Sequence, residues 1–158
     1  MKKILRQLVG FIVVSPFILL VYLTSIFMGK EKAIKKFGPS ATFVSKQAIK
    51  LFVPKIKDAD DFDSFPSGMR ANFWLWKPFY DFDIVEENKN IFKLHVWNCP
   101  FCECLNGFGL RDLSPYVCEG DWAIAKDNFD KWDFERTHQI GTGDRFCDHT
   151  YKRKQRKE

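Results

Sequence analysis

The fold is decided by WDFERTHQIGTGDRFCDHTY, residues 132–151, in which two strand-like runs flank a glycine-rich turn. The runs WDFERTHQI and RFCDHTY are rich in aromatic and β-branched residues, which favour strands. Between them, GTGD has the composition of a hairpin loop. We therefore predict that a β-hairpin with its loop at residues 141–144 closes an antiparallel sheet.

This hairpin also predicts which side chains meet. With a four-residue loop, His138 lies opposite Cys147, and Arg136 lies opposite His149. Residues two apart share a face of a strand, so these four side chains would form one cluster. Opposed Cβ atoms lie roughly 5 Å apart, close enough for an imidazole and a sulfur to share a metal or a proton. The prediction depends on register, because a slip of one residue separates His138 from Cys147.

The sequence before the hairpin has strand character and then a helical pattern. The stretches ANFWLWKPFYDFDIV, residues 71–85, and NIFKLHVWNC, residues 90–99, are dense in aromatic and β-branched residues, and EENKN between them resembles a turn. They predict an antiparallel meander with an aromatic core. From Pro100 onward, apolar residues recur at helical spacing, which predicts a helical crossover. The expected fold class is therefore α+β.

Two further segments precede the sheet. The stretch EKAIKKFGPSATFVSKQAIKLFVPKIK, residues 31–57, predicts two short amphipathic helices on either side of GPS, with Ser40 as a cap. The acidic KDADDFDSFPSG, residues 57–68, has the composition of a loop. The predicted organisation has four parts: a transmembrane anchor at 1–29, a helical neck and acidic loop at 30–64, an α+β domain at 65–151 and a basic tail at 152–158.

The N-terminal segment predicts attachment to a membrane. LVGFIVVSPFILLVYLTSIFMG, residues 8–29, holds no charge over 22 residues, and a helix of roughly 33 Å can cross a bilayer. Its bulky end favours a retained single-pass anchor over a cleaved signal peptide, and its length disfavours a buried helix of a soluble domain. The lysines that follow the span favour a cytoplasmic C-terminal domain by the positive-inside rule.

Charge and cysteine content narrow the function further. The chain carries a net charge of +5, but residues 37–151 hold 13 basic and 18 acidic residues. We therefore expect no nucleic-acid partner. The basic tail could rest on anionic lipid or serve as a solubilising end. Five cysteines do not make the even framework of a secreted domain, which also favours the cytoplasm.

One cysteine motif is CPFCEC, residues 99–104. Cys99 begins a predicted helix, where free N–H groups and the helix dipole favour a thiolate, and Cys102 lies one turn further on. The pair could form a redox disulfide, bind a metal or serve only in packing.

A second cysteine motif is CEGDW, residues 118–122. Its Asp121 could act on a substrate or cap a helix that begins at Trp122. The two cysteine motifs and the hairpin together supply nitrogen and sulfur ligands that suit zinc: Cys99, Cys118, His138 and Cys147.

These motifs together resemble the L-2-amino-thiazoline-4-carboxylic acid hydrolase family over about residues 71–151. The likeness rests on CPFCECLNGFGLRDLSPYVCEGDWAIA followed by FERTHQIGTGDRFCDHTY: a CP pair, a later cysteine before an acid, an RT strand, and a glycine before CD. His149 stands where the family usually has an aromatic residue. The layout is also similar to vinyl-reductase-type sensor domains, in which an acid and cysteines bind zinc, at positions that match Glu135, His138 and Cys147.

The hydrolase resemblance implies that water opens a small carboxylate-bearing cyclic amidine at the carbon between nitrogen and sulfur, giving an N-carbamoyl cysteine. Asp121 or His138 could be the general base, Cys99 or Cys147 could attack directly, or zinc could supply hydroxide. The expected catalytic residues are Cys99, Asp121, His138 and Cys147. The expected substrate-binding residues are Arg136, Thr137 and Asp148.

Arg136 could hold the substrate carboxylate through its bidentate fork, or pair only with Asp133 or Asp148 at the surface. The leading hypothesis is a membrane-anchored hydrolase of a small molecule, with zinc or no cofactor. The alternative is a non-catalytic zinc-binding or small-molecule-binding module. Its metal ligands would be Cys99, Cys118, Glu135, His138 and Cys147.

Overall fold

The computed structural model describes residues 2–155, which form five α-helices and a four-stranded antiparallel sheet. The α+β class, with an apolar N-terminal helix, a helical crossover and a closing hairpin, is confirmed. The elements in chain order are α1 (Lys2–Met28), α2 (Lys30–Ile49), α3 (Phe65–Trp76), β1 (Phe82–Glu87), β2 (Ile91–Val96), α4 (Pro100–Gly107), α5 (Ser114–Asp127), β3 (Trp132–Glu135) and β4 (Cys147–Arg153).

The strands lie in the order β1-β2-β4-β3. After the β1-β2 hairpin the chain crosses over through α4 and α5 and returns in the edge strand β3, so that β4 lies between β2 and β3. Trp132 pairs with Arg153, and Glu135 pairs with Thr150. This is the register that a loop at residues 141–144 predicts.

One face of the sheet packs against α3 and α5. Phe92, Trp132 and Tyr151 point to this side and are at most 2% exposed. The ring of Phe65 from α3 lies 5.0 Å from that of Tyr151, centroid to centroid. Each such side chain contributes roughly 1.5–3 kcal/mol through burial. This packing fixes which residues of β4 point inward.

A second core joins α1 to α2 and α4. Val14 and Val21, on one side of α1, are buried in it. Gly10 lets α1 approach Pro100 at the start of α4 so closely that a Cβ would clash with the Pro100 carbonyl group. One side of α1 is therefore part of the folded domain.

Both ends of α1 are also attached to the domain. Arg6 Nη2 lies 2.6 Å from a carboxylate oxygen of Asp81, and the Lys30 ammonium, just past the helix, donates to the carbonyl of Gly109. The outward side of α1 is apolar and exposed. Within residues 2–155, α1 is the one helix long and apolar enough to cross a membrane.

The prediction of a strand over residues 71–85 is wrong for its first half, which belongs to α3. The buried side chains Phe65, Met69 and Phe73 recur every four residues, which is a helical spacing. Pro66 lies in the first turn, where its missing N–H costs no hydrogen bond. Aromatic density suggested a strand, but the spacing of the residues that pack on the sheet decides the structure.

The neck is one helix, α2, rather than two, so Ser40 caps nothing. Gly38 lies against the ring of Tyr116 on α5 so closely that no Cβ would fit. This close packing on α5 holds the helix together through Pro39, which removes one internal hydrogen bond. Asp121 lies in the middle of α5, so it is not a helix cap either.

Candidate active site

A cavity of about 70 Å³ lies under α5, between α2, the end of α3 and the inward face of β2 and β4. It has room for a few water molecules, and most of its wall is apolar. We call it the thiol cavity after the reactive groups in its wall: Cys99, Cys118, Asp121, Cys147 and His149.

Local structure brings these groups together. Cys99 directly precedes α4 in an extended conformation. Cys118 and Asp121 are three residues apart on α5, so they share one face of that helix. Cys147 and His149 are two residues apart on β4, so both point toward the core. The cavity therefore forms where α5 packs over β4.

Cys118 is the thiol most disposed to ionise. Its Sγ lies 3.9 Å from Sγ of Cys102. Hydrogen bonds from the thiols of Cys102 and Cys147, with a smaller effect of the Arg136 charge, outweigh burial and the nearby Cys99, and together these contacts lower the pKa of Cys118 to about 5. Gly141 backs the sulfur so closely that a Cβ would lie 2.7 Å from it. These contacts favour ionisation of Cys118 over that of the thiols around it.

The neighbouring thiols keep their protons. The pKa of Cys102 and that of Cys147 are both raised, first by donation to Cys118 and then by other thiol contacts and burial. Sγ of Cys147 also accepts a hydrogen bond of 3.2 Å from the N–H of Ile140. These contacts favour Cys118 over Cys147 as a nucleophile.

His149 is buried, and neither ring nitrogen has a hydrogen-bond partner among residues 2–155. Its Nε2 lies 3.8 Å from Oδ2 of Asp121. Burial lowers the pKa of His149, but the negative charge of Asp121 and the sulfur of Cys147 outweigh it, so the pKa is raised above its usual value. Buried polar groups rarely lack partners, so this imidazole is free to bind a ligand or carry a proton.

Arg136 lies behind Asp121 and is only 2% exposed. Its Nη1 donates to Oδ2 of Asp121 at 2.8 Å. Its Nη2 donates to the carbonyl of Cys118 at 3.1 Å and to Oε1 of Gln139 at 2.7 Å. The guanidinium thus holds Asp121 in place, instead of pairing with Asp133 or Asp148 at the surface.

Tyr80, between α3 and β1, adds a hydroxyl to the cavity wall. Burial raises the pKa of Tyr80 well above its usual value, and electrostatic interactions with the acidic groups of the cavity wall act in the same direction. The phenol therefore keeps its proton and can donate a hydrogen bond.

His138 and Cys147 lie on opposite faces of the sheet, so the prediction that they share a face is wrong. Regular pairing between β3 and β4 ends at Glu135, and the next backbone bond from β4 runs from the N–H of Asp148 to the carbonyl of His138 at 3.3 Å. The half-exposed ring of His138 stacks on that of Phe146, with centroids 4.6 Å apart. His138 is therefore not part of the thiol cavity.

Asp148 explains why the pairing ends there. Its carboxylate accepts the N–H of Thr137 at 2.9 Å, the hydroxyl of Thr137 at 2.7 Å and the N–H of His138 at 2.5 Å. Because the Asp148 side chain accepts these N–H groups, the regular ladder between the two strands does not continue past Glu135. Thr137 and Asp148, both expected to bind substrate, are instead bonded to each other outside the thiol cavity.

The metal alternative is not supported. Within the part of the chain that the structure describes, no group of three or more His, Cys, Asp or Glu side chains could hold a metal ion. Glu135 is exposed and pairs with Lys152, while His138 faces away from the thiols. The predicted ligand set of Cys99, Cys118, Glu135, His138 and Cys147 is therefore not assembled.

Two polar residues of the cavity, His149 and Tyr80, were outside the predicted set, and Cys118 was in it only as a metal ligand. The signal for His149 was present, because it lies two residues beyond Cys147 on a strand and opposite Arg136 in the predicted register. Nothing local distinguishes Tyr80 from the core aromatics around it.

Comparison with known proteins agrees with the motifs. The family model described as L-2-amino-thiazoline-4-carboxylic acid hydrolase matches residues 14–151, from the middle of α1 into β4. A search of the curated proteins finds no match. The matched segment covers most of the chain and contains the whole thiol cavity. The chain therefore belongs to the L-2-amino-thiazoline-4-carboxylic acid hydrolase family.

Proposed function

We propose that this protein is a hydrolase that opens a small carboxylate-bearing cyclic amidine ring of the thiazoline type in the thiol cavity. The observation that carries the proposal is one cavity that holds both a sulfur of lowered pKa, that of Cys118, and a buried imidazole, that of His149, whose ring nitrogens make no hydrogen bond within residues 2–155. A thiolate and a group that moves protons are the parts that nucleophilic catalysis requires.

In the first step, the Cys118 thiolate attacks the ring carbon between nitrogen and sulfur. The bond from that carbon to the ring sulfur breaks, and the departing sulfur takes a proton from the His149 imidazolium. The substrate is then held on Cys118 through its former ring carbon. The raised pKa of His149 supports this step, because it favours the protonated imidazole.

In the second step, the neutral His149 takes a proton from water, and the hydroxide adds to the same carbon. The bond to Cys118 breaks, the thiolate is restored, and the hydroxyl proton moves to the adjacent nitrogen. The product is an N-carbamoyl thiol acid, and one water is consumed. Asp121, fixed by Arg136, stabilises the His149 imidazolium before the first step and again once water has given up its proton, and Tyr80 donates a hydrogen bond to the substrate.

We further propose that α1 attaches the protein to a membrane. As docked, α1 is bound to Asp81 near its start and to Gly109 just past its end. A helix that crossed the bilayer in this state would place parts of the domain on both sides. The docked helix therefore lies in the plane of the membrane with its apolar outer face in lipid. A single-pass topology with a cytoplasmic domain requires α1 to leave α4.

A protease test separates the two topologies. With in-plane attachment to sealed vesicles, tags at both chain ends are cut from the outside. With a single-pass topology, one tag stays protected until detergent is added. Recovery of the protein in the soluble fraction after flotation would contradict both.

Product analysis tests the hydrolase. The full chain in detergent is incubated with a thiazoline carboxylate in ¹⁸O-water, and we expect one ¹⁸O in the new carbonyl and an acid-trapped adduct on Cys118 by mass spectrometry. Cys118→Ala should lower the rate by about 10³-fold or more. Cys104→Ala is the matched control, because Cys104 does not line the thiol cavity.

Three outcomes would overturn parts of this mechanism. Undiminished turnover by Cys118→Ala would exclude that nucleophile. An adduct mapped to Cys99 would assign the attack to the thiol at the start of α4. Binding of the thiazoline acid with no turnover by the wild-type protein would favour the alternative of a small-molecule-binding module.

A further inference from the structure

Two thiols face each other across the contact between α4 and α5. Sγ of Cys102, on α4, lies 3.9 Å from Sγ of Cys118, on α5. Both side chains are buried, and all five cysteines of the chain carry free thiols. The sulfurs of a disulfide lie about 2.05 Å apart, so an approach of roughly 2 Å would close the bond. The proposed hydrolysis uses the sulfur of Cys118 and leaves the thiol of Cys102 without a chemical role.

Cys102 is better placed than the other thiols to pair with Cys118. Its side chain has hydrogen bonds to the thiols of both Cys118 and Cys99, and the bond to Cys118 has the larger effect on its pKa, which is raised. Cys99 precedes α4, whereas Cys102 lies within that helix and reaches α5. The sulfur of Cys147 already accepts the N–H of Ile140 at 3.2 Å. The second thiol of the CPFC motif therefore meets Cys118 on another helix.

The thiol cavity limits which oxidant can reach this pair. Cys118 is 7% exposed and lines the cavity, while Cys102 is 1% exposed and does not line it. The cavity volume of about 70 Å³ holds a few water molecules. Hydrogen peroxide is little larger than water, whereas glutathione disulfide, a dimer of two tripeptides, is far larger. The cavity therefore favours a small peroxide as the oxidant of Cys118.

We propose that Cys118 and Cys102 are a modification site at which hydrogen peroxide forms a reversible disulfide between α4 and α5. The bond removes the sulfur that the proposed function uses as its nucleophile. Oxidation therefore stops ring opening, and reduction restores it. The disulfide does not depend on the proposed function, and only its effect on ring opening rests on that function.

The oxidation has two steps. The Cys118 thiolate attacks one peroxide oxygen, the O–O bond breaks and hydroxide leaves, so that Cys118 becomes a sulfenic acid. The lowered pKa of Cys118 supports this step, because the thiolate is the reactive form. The Cys102 thiol then gives its proton to the hydroxide, and its sulfur attacks Sγ of Cys118. The S–O bond breaks, and the second hydroxide takes a proton from solvent. With the proton that Cys118 lost on ionisation counted, two thiols and one peroxide give one disulfide and two waters.

Mass mapping of the full chain in detergent tests the site. The reduced protein is treated with hydrogen peroxide, the remaining thiols are alkylated, and the protein is digested without reduction. We expect one disulfide between the peptides that contain Cys102 and Cys118, formed once for each peroxide consumed and lost on addition of dithiothreitol. Fragmentation of the linked peptide should find alkyl groups on Cys99 and Cys104. Cys104 is the internal control, because it lies on α4 but outside the thiol cavity.

Two variants separate the steps. Cys102→Ser keeps a hydrogen-bond donor toward Cys118 but cannot form the disulfide, so peroxide should leave a sulfenic acid on Cys118 that dimedone traps. Cys104→Ser is the matched control and should form the disulfide as the wild type does. Glutathione disulfide at the same concentration should leave Cys102 and Cys118 of the wild type free while hydrogen peroxide oxidises them. The wild-type map does not require either variant to fold.

The site and the proposed function fail separately. The site is overturned if peroxide forms no bond between Cys102 and Cys118, if Cys118 pairs with Cys99 or Cys147 instead, or if glutathione disulfide acts as fast as peroxide. A disulfide that forms without any loss of ring opening would leave the site and contradict Cys118 as the nucleophile. Loss of ring opening that follows disulfide formation and is reversed by dithiothreitol supports both. A wild type that opens no ring before oxidation overturns the hydrolase, while the mass map still decides the disulfide.

Discussion

The two faces of β4 carry polar residues that differ in their hydrogen bonding. On the inward face, Cys147 and His149 lie in the thiol cavity, and the imidazole has no hydrogen-bond partner among residues 2–155. On the outward face, the Asp148 carboxylate accepts three hydrogen bonds from Thr137 and His138. Both His149 and Asp148 are buried. Burial alone therefore does not distinguish these two groups, which differ in the hydrogen bonds that they make.

This difference assigns separate roles to the two faces. A buried group with all its bonds made stabilises the fold, because removing it leaves its partners unsatisfied. A buried group with bonds to spare costs stability unless a ligand completes it, and such groups concentrate at functional sites. We therefore expect substitutions on the inward face to reduce activity and substitutions on the outward face to reduce stability.

The largest expected effect compares the two histidines of the hairpin. His149→Phe should lower ring opening by about 10²–10⁴-fold, because it removes the proton-transfer group. A phenyl ring at this position can keep the ring contact that His149 makes with Phe134, so the fold should persist. His138→Ala, on the outward face, should change the rate less than about twofold. Rates are measured with equal concentrations of folded protein.

The rate of His149→Phe shows whether His149 or Asp121 transfers the proton. If His149→Phe retains the wild-type rate, the proton transfer belongs to Asp121, and the imidazole is a packing feature of this chain. Similar losses in His149→Phe and His138→Ala would contradict the functional division between the two faces.

The next effect concerns the guanidinium behind the cavity. Arg136→Met should lower the free energy of unfolding by about 3–5 kcal/mol, because Asp121 is left as a buried charge without its partner. The double variant Arg136→Met/Asp121→Asn should recover much of that loss, since it removes the stranded charge as well. Urea unfolding followed by circular dichroism measures both. An equal or larger loss in the double variant would show that packing of the arginine, rather than its charge, is important.

Much of this arrangement follows from the sequence, and the failures have definite causes. The loop at residues 141–144 gave the correct register for Trp132 and Glu135. It also brought Arg136 to the side of His149, since both side chains approach Asp121, but it failed for His138 because the side chain of Asp148 binds the N–H groups of Thr137 and His138. The alternation of residue types along a strand predicts its backbone pairing. It does not predict a side chain that competes for the same backbone N–H groups.

Other parts of the site depend on contacts between distant segments. The pairing of Arg136 with Asp121 arises only when α5 packs over the sheet, and the position of Tyr80 depends on where α3 ends. The helix α3 itself was hidden by its aromatic composition, although the spacing of Phe65, Met69 and Phe73 is helical. Periodicity was the better guide there than residue type.

A smaller effect should come from the outward face. Asp148→Asn should lower the free energy of unfolding by about 1.5–3 kcal/mol, because charge-assisted hydrogen bonds to Thr137 and His138 are weakened. Burial alone would raise the pKa of Asp148. The hydrogen bonds that its carboxylate accepts have the larger effect together, so the pKa lies below its usual value. The stability it provides is therefore present above the unfolded pKa of about 3.9 and is lost as pH falls through the folded pKa.

Unfolding free energies at several pH values below 5 test this assignment. The wild type should lose stability more steeply toward low pH than Asp148→Asn does. Parallel curves would mean that another carboxylate dominates acid unfolding.

The smallest expected effect is on the pH dependence of activity, which changes by at most tenfold for each pH unit. It should respond to a substitution on the inward face of β4 and not to one on the outward face. The proposed first step needs Cys118 as thiolate and His149 as imidazolium. Activity should therefore rise tenfold per pH unit below about 5, where the pKa of Cys118 lies, and fall as pH passes the raised pKa of His149. The dependence of kcat/KM on pH measures the rise at acid pH and the fall at alkaline pH.

His149→Phe should lose the alkaline limb and keep the acid limb. Asp148→Asn should shift neither limb, because the outward face is not connected to the proton chemistry of the cavity. An alkaline limb that survives in His149→Phe would assign that titration to another group in the cavity wall.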